Sequence, residues 1–433
     1  MSFEELRKEY PVFSYNGYSY SLEGQDLTIR FDFSIGDNIR FTPTMVLQAG
    51  RYAQYPADLQ ALEGIIFHLG MIELISYWKC TCSPTLLIRP YRLNEEEQLW
   101  WRKLYWYGLG EFFYQNHIDT NHEKFLTFAF DEKAPMVDTL AYPHVAESNR
   151  VIVPIGGGKD SVVTLEELRT KREVVPFIIN PRGATLACAE KAGFPNPDDI
   201  LILKREISPR LLELNKEGFL NGHTPFSAML AFYSVLLSAV TGIREVALSN
   251  ESSANEPTIP GTHINHQYSK SLEFEEDFRY YVETYMNGCN HYYSHLRPLT
   301  ELQIAERFAR YPQYFHVFKS CNVGSKEDKW CGRCAKCLFA YIILSPFIDD
   351  PTMISIFGDD LLNRTELAPI LDQLTGMAYV KPFDCVGTIQ EVNEAMRRIL
   401  ESRKDKALVK HYINKQLAML DDNMLEEYYN MAP

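Results

Sequence analysis

No stretch of this chain reaches the roughly 20 consecutive apolar residues that cross a bilayer. The longest apolar run, residues 226–240, is about 15 long, carries Ser227, Ser234 and Ser238, and reads as a buried helix. Positive charge is in short supply: 43 Lys and Arg against 57 Asp and Glu leave a net charge of −14, which opposes broad binding to nucleic acid. There is no internal repeat and no low-complexity tract. The cysteines number nine, an odd count with three crowded into 331–337, so a disulfide framework is disfavoured and a reducing compartment expected. The start, Met1-Ser2-Phe3-Glu4-Glu5, places acids before any apolar run, which is wrong for a secretory leader. A cytoplasmic protein with neither a nucleic-acid nor a membrane partner is expected. Nothing in the sequence indicates an oligomeric state.

What is present suits a globular protein. The 433 residues are 46% hydrophobic and 23% charged, enough for about two or three domains with ample core. The chain is organised around residues 151–168, where the β-branched run Val151-Ile152-Val153 leads to Gly156-Gly157-Gly158-Lys159-Asp160-Ser161 and then to apolar Val162, Leu165 and Leu168. That pattern predicts strand, tight turn and helix. Three glycines let backbone N–H groups converge on an anion, and the following helix adds its positive N-terminus. Lys159 can neutralise phosphate, Ser161 can donate to it, and Asp160 can hold Mg²⁺. The Walker A spacing is absent, and so is the dinucleotide fingerprint G-x-G-x-x-G.

Strand candidates 151–155, 174–179, 200–203 and 245–249 alternate with helical stretches, which predicts an α/β fold with a doubly wound parallel sheet. Ligands of such sheets sit beyond the carboxyl ends of the strands. That singles out Asn180 and Arg182 after the second strand and Asn250 and Glu251 after the fourth, with Gly222 and Thr224 ahead of the 226–240 helix. Glu251 is a second carboxylate for Mg²⁺ or ATP. Arg182, Lys270 and Arg297 are candidate binders of substrate anions, since the Arg fork matches carboxylate and phosphate. His266 and Lys270 lie in a polar run entering a helix, and Cys385 in a loop bounded by Pro382 and Gly387.

Residues 1–148 open with alternation such as 27–33, then helical stretches near 58–77 and 95–115 and a strand near 125–130, an N-terminal α+β domain that is a candidate for substrate binding. Its Trp100, Trp101 and Trp106 fit core packing or base stacking. Residues 149–345 form the predicted nucleotide domain, and 346–433 a helical appendage over the site, with a charged helical pattern from Glu391 to Tyr429. Cys321, Cys331, Cys334 and Cys337 read C-x9-C-x2-C-x2-C, a spacing that suits structural Zn²⁺, an iron–sulfur cluster or four reduced thiols.

The glycine turn resembles the pyrophosphate loop of the N-type ATP pyrophosphatases, Ser-Gly-Gly-x-Asp-Ser, with Gly156 in the place of the first Ser. The cysteine cluster is similar to the structural zinc site of 7-cyano-7-deazaguanine synthase. The ordered set of 156–161, 222–225, 249–251, 260–262, 266–270, 296–299, 320–322, 330–332 and 381–383 resembles the MurL family. That resemblance implies an adenine nucleotide α-hydrolase-like domain and an ATP- and Mg²⁺-dependent epimerase. Its substrate would be the small molecule UDP-MurNAc-L-Ala-L-Glu of peptidoglycan synthesis, hence of cell-wall biogenesis, cell shape and cell division. Inversion at the terminal glutamate would run through an acyl-adenylate with release of AMP and pyrophosphate. Asp160, Cys385, His266 and Lys270 are the catalytic candidates, with acid/base work given to the last three. Another adenylating enzyme, whether an amide or nitrile ligase or a tRNA-modifying one, remains open at this point, as does a non-catalytic ATP-binding module.

Overall fold

The computed structural model describes residues 1–259 and 261–418. Pro260 and the end of the pattern expected to reach Tyr429 lie outside the described residues. Eleven strands form one sheet: β1 (Val12–Glu23), β2 (Asp26–Ile35), β3 (Ile39–Phe41), β4 (Thr44–Gln48), β5 (Thr85–Ile88), β6 (Thr127–Phe130), β7 (Arg150–Pro154), β8 (Glu173–Ile179), β9 (Leu201–Glu206), β10 (Glu245–Leu248) and β11 (His291–Ser294). Their order is β11-β10-β7-β8-β9-β4-β2-β1-β5-β6, with β3 paired to β2.

The stretch β11-β10-β7-β8-β9 is entirely parallel. Chain order reverses between β7 and β10, which opens a crevice at their carboxyl ends. The central strands β7, β8 and β10 are covered on both faces, so they are apolar almost throughout. Along β7, Ile152 joins the core on one face, while Val151 and Val153 join that on the other.

The strands of residues 1–148 continue the same sheet. Gly24, at φ +63°, turns β1 into β2, and Leu27, Ile29, Phe31, Phe33 and Ile35 point inward, as the alternation predicts. β4 then pairs antiparallel with β2 on one side and β9 on the other, so the sheet is mixed rather than parallel throughout. The predicted 95–115 helix breaks at Leu109 into Glu95–Gly108 and Gly110–Gln115.

Contrary to the sequence reading, one run has the length and apolar composition to cross a bilayer. The helical run Leu59–Trp78 is 20 residues long, with mean hydropathy 1.4 in its most apolar window, enough by length and composition to cross a membrane. Glu63, His68 and Glu73 interrupt it in the sequence, but Ile, Leu, Met and Phe carry its average. Every residue from Ile65 to Trp78 is buried within the protein, and the helix packs beside Phe226–Thr241 as a core element.

Glu73, fully buried on that helix, takes the Arg205 fork from β9 at 2.7 and 2.8 Å and so ties the helix to the sheet. Removing one partner of a buried pair strands the other charge. Glu73→Ala is therefore expected to lower unfolding free energy by about 3–5 kcal/mol in denaturant titration; an unchanged midpoint contradicts this role.

Candidate active site

The turn after β7 behaves as its composition requires. Gly157 sits at φ +84°, and a Cβ there would lie 3.1 Å from Ala184 Cβ and 3.2 Å from the Thr185 amide. Gly156 has no atom within 4 Å of its own Cβ position and is open to the crevice. Gly158 caps the helix Lys159–Leu168, whose N-terminus opens into a cavity of about 370 Å³. The cavity is bounded by Gly156, Gly158, Lys159, Asp160, Ser161, Arg182, Asn250, Glu251, Lys270 and Cys385. Residues after β7, β8 and β10 thus converge on one crevice, as the topology predicts.

Beside the glycine turn the cavity wall is charged and mostly buried. Lys159 Nζ lies between Asp160 Oδ1, at 2.5 Å, and Glu301 Oε2. Burial opposes the ammonium, but Asp160 and Glu301 outweigh it and raise the Lys159 pKa. Burial pushes Glu251 and Glu301 above the usual carboxylate range. Glu301, at the start of the helix Glu301–Phe308, was not singled out in the sequence; no motif marks it, and only the fold brings it to Lys159. Ser161 Oγ donates to Gly158 O at 3.0 Å, and Asn250 donates to Ser294 at 3.1 Å.

The opposite end holds a thiol. Lys270 Nζ is 3.3 Å from Cys385 Sγ, and His266 Nε2 is 3.8 Å from the same sulfur. Burial works against a Cys385 thiolate, but Lys270, then Lys336 and His266, pull its pKa down to about 5. Burial likewise opposes a charged His266, yet Cys385 and Glu111 push it up to about 9. The Cys385 loop is tied down at three points: Lys381 to Glu256, Asn322 to Asp384 at 3.0 Å, and Gln267 to Val386 O at 3.3 Å. Glu111 and His223 complete this cluster; Glu111 escaped sequence reasoning, and His223 entered it only within the 222–225 stretch.

Other predicted residues lie outside the cavity. Asn180, at φ +46°, spends its side chain capping β9, accepting from Arg205 N–H at 2.7 Å. The carbonyl of Gly222 and the hydroxyl of Thr224 accept hydrogen bonds from Lys79, which holds their loop beside His223. The Arg297 fork is occupied by protein groups, namely Glu275 at 2.8 Å, Lys270 O at 2.7 Å and Glu251 O at 2.8 Å. It braces the two loops that bear Glu251 and Lys270 instead of facing the cavity.

Cys321, Cys331, Cys334 and Cys337 gather with Sγ–Sγ separations of 3.8, 3.7 and 3.5 Å. A tetrahedron with metal–sulfur bonds of about 2.3 Å has edges near ~3.8 Å, so the four thiols fit a closed Zn²⁺ site.

An α/β enzyme is defined by these features: a crevice at the switch point of parallel strands, lined by a glycine turn and a lysine-paired thiol. The chain belongs to the MurL family, matching the MurL N-terminal domain over residues 4–295 and the MurL C-terminal domain over 317–427. Among its curated relatives is the UDP-N-acetyl-alpha-D-muramoyl-L-alanyl-L-glutamate epimerase of Xanthomonas oryzae pv. oryzae, 34% identical over 92% of this chain and 88% of the relative. The protein of the same name from Salinispora tropica is 34% identical over 90% of this chain and 84% of the relative. No solved structure matches the chain.

The charges around Cys385 set its reactivity. Alkylation of Cys385 by iodoacetamide, followed by peptide mass spectrometry, is expected to rise with pH through a midpoint near 5. Lys270→Met should move the midpoint up toward the ordinary thiol value of about 8.5; a wild-type midpoint near 8.5 contradicts the thiolate.

Proposed function

We propose that the protein inverts the α-carbon of the terminal glutamate in UDP-MurNAc-L-Ala-L-Glu, in a cytoplasmic step of peptidoglycan precursor synthesis. The observation that carries this reading is that the glycine turn, Lys270 and Cys385 bound one cavity, with His266 against the Cys385 sulfur. The relatives' names supply the substrate. The parallel segment β7–β11 with its glycine turn is read as a pyrophosphate-loop, adenine nucleotide α-hydrolase-like domain.

The chemistry gives each end a task. The α-proton of a free carboxylate is hard to remove, because the dianion formed concentrates negative charge. Converting the carboxylate to an acyl-adenylate with ATP removes that charge and lets the carbanion spread into an enolate. At the turn, the amides of 156–158 and Lys159 stabilise the departing pyrophosphate. Asp160 and Glu251 are the carboxylates placed to hold Mg²⁺, which would neutralise phosphate charge. The four clustered thiols hold Zn²⁺ in a structural role, since a closed Cys₄ set leaves no ligand position open for chemistry.

Cys385, ionised and next to a proton-rich partner, takes the α-proton. Groups that approach a carbon from opposite faces need about 3–3.5 Å each, so they stand ~6–7 Å apart. Cys385 is only 3.3 Å from Lys270 and 3.8 Å from His266, too close for either to oppose it across the α-carbon. A different side chain of the cavity serves the other face. Hydrolysis of the inverted adenylate releases AMP and the D-glutamyl product.

Chiral analysis of glutamate liberated from UDP-MurNAc-L-Ala-L-Glu after incubation with ATP and Mg²⁺ tests the reading. D-Glutamate is expected with wild type, and none with Asp160→Ala, which should also abolish substrate-dependent pyrophosphate release. Cys385→Ala should slow inversion by about 10²-fold or more. Inversion by Cys385→Ala at the wild-type rate rules out the thiol as the base.

A further inference from the structure

The thiol centre leans on a carboxylate supplied from the first 148 residues. Glu111 is buried on the short helix Gly110–Gln115. Its Oε1 accepts from Gln115 Nε2 at 3.0 Å, and its Oε2 faces His266 Nδ1 and, at 3.3 Å, His223 Nδ1. On the far side of the same imidazole, His266 Nε2 points to Cys385 Sγ, 3.8 Å away. With an anionic acceptor at each nitrogen, the ring is satisfied when both nitrogens bear hydrogen.

We propose that Glu111 is a positioning residue of the acid/base centre: it holds His266 as an imidazolium aimed at Cys385 and so keeps the sulfur ionised. This rests on the reading of Cys385 as the base, but its test reads the thiol itself and not turnover alone.

The surroundings agree. Cys385 faces Lys270, Lys336 and His266, whereas His266 faces Cys385, Glu111 and His223. The His223 and His266 rings lie 4.7 Å apart, and two imidazolium ions at that distance would repel. Burial, then the charge on His266, drives His223 down to about 4, so it stays neutral beside Glu111 without adding a second cation. Lys79 fixes this segment by donating to Gly222 O, His223 O and the Thr224 hydroxyl. Glu111 and His266 are 155 positions apart in the chain, so the pairing requires residues 1–148 and the nucleotide-binding segment to be folded together.

The experiment follows the pH dependence of Cys385 alkylation in the full-length protein for wild type, Glu111→Gln, His266→Gln and the double variant. Slow reaction of the buried Cys80 and Cys82 reports an intact fold. Glu111→Gln is expected to raise the midpoint by about one pH unit or more. His266→Gln should raise it similarly, and the double variant no further than the larger single shift, because Glu111 acts through His266. Glu111→Asp, which keeps the charge, should retain a wild-type-like midpoint, and it carries the test if Glu111→Gln fails to fold. A Glu111→Gln profile that overlays wild type, a double variant that shifts by the sum of the singles, or a Glu111→Asp midpoint at the ordinary thiol value overturns the proposal.

Discussion

An ammonium 3.3 Å from a thiol, both partly withdrawn from bulk water, is the contact on which this site depends. Burying either charge alone costs several kcal/mol, and the pair persists only where geometry and further hydrogen bonds sustain it. Much of the surrounding structure serves that end. Arg297 braces the backbone of Lys270 and Glu251, three tethers hold the Cys385 loop, and His266 supplies a second positive group at the sulfur. The thiolate is thus a product of tertiary structure, since isolated Cys-Val-Gly would carry an ordinary thiol.

The sheet explains why this contact faces the glycine turn. Reversal of strand order between β7 and β10 opens one crevice, and the segments that follow β7 and β10 line it from opposite sides. One side presents amides, Lys159 and carboxylates suited to phosphate and metal; the other presents the thiol and its partners. A substrate activated at its carboxyl by a nucleotide brings its α-carbon next to the activated group. A cavity of about 370 Å³ keeps the two ends within reach of one such molecule.

Local grammar was legible in the sequence. The β-branched run, glycine triplet and apolar 162, 165 and 168 predicted β7, its turn and its helix, because each depends on residues close in sequence. Long-range pairing was not legible. Nothing in Thr44–Gln48 announces that it will join β9, and β11 is a short His-Tyr-Tyr-Ser strand with no aliphatic run. Asn180 follows a strand end as expected, but its left-handed backbone turns the side chain to cap β9, and the Arg297 fork is taken up by carbonyls and Glu275. Glu111 stands among aromatics on a helix, and only the fold shows that it meets His266.

The central claim is that nucleotide activation and proton abstraction occur in one crevice of one chain. Its most direct test is to run the reaction in D₂O with UDP-MurNAc-L-Ala-L-Glu, ATP and Mg²⁺, measuring deuterium at the glutamate α-carbon against AMP formed. Solvent deuterium is expected at that carbon in the D-product, with AMP formed at each turnover and no deuterium without ATP. Inversion that retains the original hydrogen, or exchange that proceeds without nucleotide, would contradict it.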